Sequence, residues 1–320
     1  MHSSRALHHF PGMTWRQGRR MLWNPLQKKA LKNRPEERVR LRVIDYLIRE
    51  ANWPPSRIGL EVSASRGHQD QKGRADIICY DRDFTPLLLV ECKAENVKLN
   101  QHTLAQAGAY NSSISSEYVL VTNGVQDYLY KTSAPEESLS EIPLIWPESA
   151  SEFSASGFDY WANRGFAGQN TSPALRRFIG LMLEKIFLTE TDDATFTEDV
   201  AYINPKISSP DGPLDHYYRV LNYDDEWRVA LTMVAAKHGS TRLVMMLKKQ
   251  NENVGLIEIN PELHRKKVGP DTIIYSNSRK APENLFEKIS LPLNPKQVHG
   301  SRQLVEPVIE YFNQHRIAHA

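Results

Sequence analysis

Hydrophobic residues recur with helical spacing in one early stretch and then gather into short runs. Leu41, Ile44 and Leu47 repeat at intervals of three after the first-turn proline Pro35. The runs that follow are four to seven residues long and are separated by turn residues, which is typical of strands. The predicted elements are a helix over 35–50, strands over 58–62, 76–81 and 87–93, a helix over 100–111, and strands over 118–122 and 127–131. This order predicts an α/β core with a mixed sheet.

The pattern divides the chain into three predicted parts: a first domain over 1–135, a connector over 136–172 and a second domain over 173–320. Within the first domain, 1–15 is expected to be poorly fixed and 22–31 to form a hairpin or extended segment. The second domain is expected to be β-rich (α+β), with helices over 173–188 and 303–314 and strands over 217–222, 227–236, 242–247, 255–259 and 272–275. Its role stays open among DNA binding, target choice and dimerisation.

Charged residues stand at the ends of two neighbouring predicted strands. Asp76 opens one apolar strand, and Glu91 and Lys93 close the next. Charges at the tip of a core strand are costly unless something compensates them. A hard divalent cation such as Mg²⁺ would compensate the two carboxylates on these adjacent strands. The backbone carbonyl of Cys92 could add a third oxygen ligand. This pattern therefore predicts a metal site with a lysine beside it.

Three further residues flank this predicted site. Glu37 lies on the apolar stripe of the first helix, where it either contributes to the metal site or only complements the helix dipole. By the same spacing, Glu36 is expected to share a face with Arg40. Gln106 and Tyr110 are four residues apart and therefore project from one face of the second helix.

Composition and charge exclude several classes of protein. The chain has 320 residues, 40 Lys and Arg against 38 Asp and Glu, and only two cysteines, Cys79 and Cys92. Both cysteines are expected to be buried thiols, because two alone cannot build a structural zinc site. Neither a membrane span nor a secretory signal is recognisable, so a cytoplasmic protein is expected. Ten cations against two acids between Arg16 and Arg42 predict either a basic arm for a phosphate backbone or an ordinary solvated surface.

The motifs resemble a known nuclease superfamily. Asp76, Glu91-Cys92-Lys93 and Gln106-Ala-Gly-Ala-Tyr110 are similar to the PD-(D/E)XK nucleases, with the Gln-x-x-x-Tyr motif of RecB-like members. Within that superfamily, four stretches resemble the N-terminal nuclease domain of type I restriction enzyme R subunits: Asn24-Pro-Leu-Gln-Lys-Lys29, Arg34-Pro-Glu-Glu-Arg-Val-Arg40, Arg74-Ala-Asp-Ile77 and Leu120-Val-Thr-Asn-Gly124.

The resemblance implies a restriction-endonuclease-like αβββαβ core and cleavage of DNA phosphodiesters with Mg²⁺, for which Mn²⁺ is a substitute. It implies that Asp76 and Glu91 bind metal, that Lys93 is catalytic and that Glu37 is the acidic residue of the helix. Gln106 and Tyr110 would support the lysine or contact DNA. The residues predicted to bind nucleic acid are Arg34, Arg38, Lys72 and Arg74.

The sequence departs from the family pattern at two points, and only the second limits what can be expected. Ala75 stands where the superfamily has proline, and no Gly-x-x-x-x-Gly-Lys-Ser/Thr phosphate loop occurs in the chain. A translocating motor is therefore not expected. We expect a stand-alone endonuclease or a part of a restriction-modification, antiviral defence or DNA-processing system, with DNA as partner and a homodimer or larger complex as possible assemblies. The alternative is a catalytically degenerate DNA-binding or assembly subunit on a nuclease scaffold.

Overall fold

The computed structural model describes residues 2–63, 74–139, 157–188, 199–276, 279–294, 296 and 300–314. The chain divides into two compact units, 1–154 and 155–320. Among the described residues, no helix is long and apolar enough to cross a membrane.

The first unit contains a mixed sheet with helices on both faces. Its elements are β1 (His2–Ser3), β2 (Gly12–Arg16), β3 (Arg19–Asn24), β4 (Lys29–Leu31), α1 (Pro35–Arg49), β5 (Ile58–Ser63), β6 (Arg74–Tyr80), β7 (Pro86–Cys92), α2 (Gln101–Ile114), β8 (Tyr118–Thr122), β9 (Gln126–Lys131) and β10 (Ala134–Ser138). The main sheet has the order β1-β9-β8-β7-β6-β5, with β10 also paired to β9. Strands β7 and β8 are parallel and the other pairs are antiparallel, so the predicted mixed sheet is confirmed.

Helices α1 and α2 lie on opposite faces of this sheet because residues of β7 alternate between two cores. Leu88 and Val90 belong to the cluster that holds α1, whereas Leu89 belongs to the cluster that holds α2. Helix α1 begins at Pro35 with two acids in its first turn. Helix α2 begins at a capping box between Asn100 and Thr103.

The first residues of the chain are an ordered part of the core, so the prediction of a poorly fixed segment over 1–15 is wrong. Ala6 and Phe10 are buried. Arg42, which is 1% exposed, donates hydrogen bonds to the carbonyls of Ala6, Leu7 and His9 at 2.9–3.2 Å. A buried guanidinium needs acceptors, and this segment supplies them. Part of the predicted basic arm is therefore core, and β3 and β4 within it form a separate three-stranded sheet with β2.

The second unit is built on one antiparallel sheet of seven strands in sequential order. Its elements are α3 (Phe158–Ala162), α4 (Pro173–Phe187), β11 (Asp199–Ile203), β12 (His216–Asn222), β13 (Trp227–Ala235), β14 (Thr241–Lys249), β15 (Glu252–Ile259), α5 (Pro261–Lys266), β16 (Thr272–Ser276), β17 (Arg279–Glu283) and α6 (Arg302–Gln314). Each strand predicted in this half is present, and β11 and β17 extend the sheet at its two edges.

The segment predicted as a connector, 136–172, is partly core of the second unit. Trp161 of α3 is fully buried, with its ring 5.2 Å from that of Phe166 and 5.9 Å from that of Phe187. Large aromatic side chains gain the most from burial, which explains why the described part of this segment packs into the core. Residues 140–156 of the predicted connector lie outside the described residues.

Candidate active site

The two predicted metal ligands lie at the same end of one strand pair. Ile77 of β6 is paired with Val90 of β7, so Asp76 and Glu91, one residue further on each strand, are neighbours. Asp76 accepts two hydrogen bonds, from the Arg40 guanidinium at 2.7 Å and from the Cys92 backbone N–H at 2.8 Å. The end of the central strand pair therefore brings together both acids predicted from sequence.

Lys93 follows β7 and connects Glu91 to helix α2. Its ammonium donates to Glu91 Oε1 at 2.8 Å and to the side-chain carbonyl of Gln106 at 3.2 Å. Burial opposes the charge on Lys93, but the hydrogen bond to Glu91 and the nearby carboxylates outweigh it and raise the pKa of the ammonium. Lys93 is therefore a fixed cation that can donate hydrogen bonds.

Glu91 is a buried carboxylate with only one of its oxygens satisfied. Its side chain is 8% exposed, and Oε2 has no hydrogen-bond donor among the described residues. Burial raises the pKa of Glu91, the hydrogen bond from Lys93 opposes that rise, and the negative charge of Asp76 adds to it. A buried acceptor without a donor is costly, so this oxygen is suited to receive a cation or a proton.

Arg40 of α1 lies among three carboxylates and was not predicted as a site residue. Its guanidinium contacts Asp76 at 2.7 Å, Glu37 at 3.0 Å and Glu61 at 3.4 Å. Burial would lower the pKa of Arg40, and the charges of Asp76 and Glu37 raise it instead. Glu37, three residues before Arg40 on the same helix, makes this contact, and the shared face of Glu36 and Arg40 stays a prediction.

Glu37 is close to this cluster, as the sequence predicts, but only one of its two carboxylate oxygens accepts a hydrogen bond from the described residues. Its Oε2 accepts from Arg40, and its buried Oε1 has no donor within the described part of the chain. Burial raises the pKa of Glu37, Arg40 opposes this, and Glu61 and Asp76 raise it further. Glu61 reaches the cluster because β5 pairs with β6 on either side of it, through Leu60 with Ile77 and Val62 with Ala75. A lone acid in the apolar run 58–62 was the signal that could have identified it.

Gln106, Tyr110 and the two cysteines differ in exposure and in what they contact. Gln106 is exposed and holds Lys93, whereas Tyr110 packs against the hydrophobic cluster beneath α2. Cys79 and Cys92 are buried thiols, as predicted, and burial raises the pKa of both. Ligation of a metal by the Cys92 carbonyl stays a prediction.

Of the four residues predicted to bind nucleic acid, the three that the structure describes differ in exposure and in ion pairing. Arg34 is exposed at the start of α1. Arg38 is buried and makes a two-pronged contact with Glu95 at 3.0 and 3.1 Å, so its guanidinium is already engaged. Arg74 is exposed and pairs with Glu61 at 2.9 Å. Lys72 lies outside the described residues.

The donor set fits a divalent cation in part. Within the described ranges, no group of three or more His, Cys, Asp and Glu side chains is arranged to hold a metal ion. However, the buried oxygens Glu37 Oε1 and Glu91 Oε2 have no donor there, and carboxylate oxygens are the ligands that Mg²⁺ prefers. Both oxygens of Asp76 are occupied, so a metal at Asp76 would have to compete with Arg40.

The first unit is therefore a mixed α/β domain with an acid-and-lysine cluster at the end of its central strands. Residues 35–145 match the family model for the type I restriction enzyme R protein N terminus (HSDR_N). This match covers about a third of the chain and contains every predicted catalytic residue from Glu37 to Tyr110. It confirms the resemblance predicted from the motifs. Comparison with curated proteins finds no match.

Proposed function

We propose that the first unit is a restriction-endonuclease-like, Mg²⁺-dependent DNA nuclease that hydrolyses phosphodiester bonds. The observation that carries this proposal is the meeting of Asp76, Glu91 and Lys93 at one end of β6 and β7, with Glu91 Oε2 left without a donor among the described residues. The family match to a restriction enzyme domain supports a nuclease-like, DNA-related role.

In this function, Asp76, Glu91 and the backbone carbonyl of Cys92 would hold Mg²⁺ or Mn²⁺. The bound ion would neutralise charge on the phosphate and lower the pKa of a coordinated water. Lys93, a fixed cation, would donate to a phosphate oxygen and stabilise the negative charge that grows on it. Gln106 would keep the ammonium in place, since its side-chain carbonyl accepts from Lys93.

Glu37 and Arg40 would act by positioning. Glu37 presents an oxygen that has no donor in the described part of the chain, so it can accept from a water or assist a second ion. Arg40 would neutralise Asp76 before the metal binds, which avoids leaving several carboxylates uncompensated in a half-buried site. The same role makes Arg40 a competitor of the metal.

The second candidate function is a DNA-binding or assembly subunit without turnover. The full occupancy of Asp76 by Arg40 and the Cys92 amide favours it, as does the absence of a three-ligand metal group among the described residues. A homodimer, a larger defence complex, a cytoplasmic location and the role of the second unit stay predictions.

Cleavage of supercoiled plasmid DNA in Mg²⁺ separates these functions. The wild-type chain should nick or linearise the plasmid, and Glu91→Ala and Lys93→Ala should each reduce the rate at least about 100-fold, the range in which electrostatic groups of active sites act. Lys98→Ala, which removes an exposed lysine five residues away, is the matched control and should cleave normally.

Equal cleavage by all four proteins would exclude the proposed site. Retention of DNA without cleavage, in both Mg²⁺ and Mn²⁺, would favour the DNA-binding subunit. Cleavage that begins only when cellular extract is added would instead indicate an assembly subunit.

A further inference from the structure

The second unit carries an open groove on one face of its sheet. The groove has a volume of about 810 Å³, within the range of small-molecule sites. Met246, Leu256 and Tyr275 form its floor, side by side on three adjacent strands. The same cross-strand row continues to Lys280 on β17, so a cation stands directly beside the apolar floor.

The groove is strongly positive. Its lining contains four cations, Lys206, Lys248, Arg279 and Lys280, and no aspartate or glutamate. All four side chains are exposed, and none of them forms an ion pair with a carboxylate of the described residues. Cations that are grouped in this way repel one another, and a phosphate-bearing ligand would relieve that repulsion.

One wall of the groove is held in place by a buried carboxylate. The wall is the segment 205–208, and the next residue, Ser209, contacts both oxygens of Glu258 at 2.9 and 3.0 Å. The hydroxyl of Tyr275 in the floor donates to the same carboxylate at 2.9 Å. Wall and floor are therefore tied to one anchor, so the groove does not have to form when a ligand arrives.

We propose that this groove binds a nucleotide, either free or as one unit of a single-stranded nucleic acid. The four cations would contact phosphates of the ligand, and the apolar row with Tyr275 would receive the base, since base stacking on aromatic side chains tolerates any sequence. The polar side chains of Asn253 and Ser276 also line the groove and can hydrogen-bond to the base or sugar. The inference rests on the second unit alone and does not require the first unit to cut DNA.

The test measures binding by the full chain in EDTA, where metal-dependent cleavage cannot occur. One arm uses a fluorescent ATP analogue and the other a fluorescent oligothymidylate, each followed by anisotropy. Lys248→Glu combined with Lys280→Glu should weaken binding at least about tenfold. The control is Lys249→Glu, which makes a single Lys-to-Glu change on the neighbouring residue of β14, where the ammonium contacts Glu226 and Asn313 instead.

Binding of the analogue that is lost in the double variant identifies a free nucleotide as the ligand. Binding of the oligonucleotide alone identifies a strand, and its affinity should fall about 50-fold from about 50 to about 200 mM salt if all four cations meet phosphates. Retention of wild-type affinity by the double variant, or equal losses in the double variant and in Lys249→Glu, would overturn the assignment. So would failure of both probes to bind. Plasmid cleavage in Mg²⁺ is measured separately for wild type and for the double variant, so that a failed nuclease and a failed groove can be told apart.

Discussion

Replacement of Arg40 by glutamine tests the electrostatics of the acidic cluster. The change removes the cation that contacts Asp76, Glu37 and Glu61 and leaves a shorter, uncharged polar side chain. Arg40 is 14% exposed and its two nearest partners are similarly buried. We therefore expect the metal-free protein to lose about 3 kcal/mol of unfolding free energy, the low end of the cost of breaking a buried ion pair.

A divalent cation should reverse part of this loss. When Arg40 is absent, Mg²⁺ no longer competes with a guanidinium for Asp76, so the ion should bind the variant more tightly than the wild type. At least about tenfold tighter binding corresponds to about 1.4 kcal/mol of additional stabilisation at saturating metal. The variant is thus expected to be less stable than wild type in EDTA and to gain more than wild type from Mg²⁺.

Arg49→Gln on the same helix is the control. Arg49 pairs with Asp45 at 2.9 Å but is 45% exposed, and exposed pairs of this kind contribute at most about 0.5 kcal/mol. Urea unfolding in EDTA and in Mg²⁺, followed by circular dichroism, gives the free energies, and hydrogen exchange of α1 amides assigns them to the first unit. If Arg40→Gln costs no more than Arg49→Gln, or gains no more from Mg²⁺ than wild type does, the electrostatic interpretation of the cluster is wrong.

Three further outcomes follow from the same geometry. Because burial raises the pKa of Glu91, the folded state binds the proton of this carboxyl group more tightly than the unfolded state does. The metal-free protein should therefore lose stability as the pH rises above 4.5, the ordinary pKa of a glutamate. Glu91→Gln should flatten this dependence in urea unfolding at a series of pH values. Arg42→Met should cost about 3 kcal/mol and expose residues 2–10 to hydrogen exchange, because three carbonyls lose their donor. Gln106→Ala should lower the rate of plasmid cleavage about tenfold, because Gln106 accepts a hydrogen bond from Lys93. Tyr110→Phe should leave the rate within twofold of wild type, because Tyr110 packs in the hydrophobic cluster beneath α2 instead.

Much of the first unit could be predicted because its signals are local. The helix over 35–50 and the apolar runs over 76–81 and 87–93 are set by periodicity within a few residues, and they lie within two residues of α1, β6 and β7. The two acids and the lysine could be placed together because buried charges at the ends of neighbouring strands have to be compensated by one another or by a shared ion. Antiparallel pairing of β6 with β7 then brings Asp76 beside Glu91.

Long-range contacts of polar residues could not be predicted in this way. The segment 1–15 has no periodic apolar pattern, and its order depends on Arg42, which is more than thirty residues away along the chain. Likewise, the sequence around Trp161 predicts a connector, because the ring that packs against Trp161, Phe187 of α4, lies far along the chain. In both places the stabilising partner is remote, so a local window contains no sign of it.

Arg40 shows why the chemistry of a site is harder to predict than its position. In the sequence it is one of ten cations in a basic stretch, and that composition favours a surface that meets phosphate. In the fold, helix α1 turns Arg40 toward β5 and β6, where three carboxylates converge on it. The same stretch therefore supplies a counter-ion to the acidic cluster, a core anchor in Arg42 and an exposed cation in Arg34. The effect of a charge depends on the groups around it, so these three arginines of one stretch have three different roles. Only the residues that stay exposed can contribute to binding DNA.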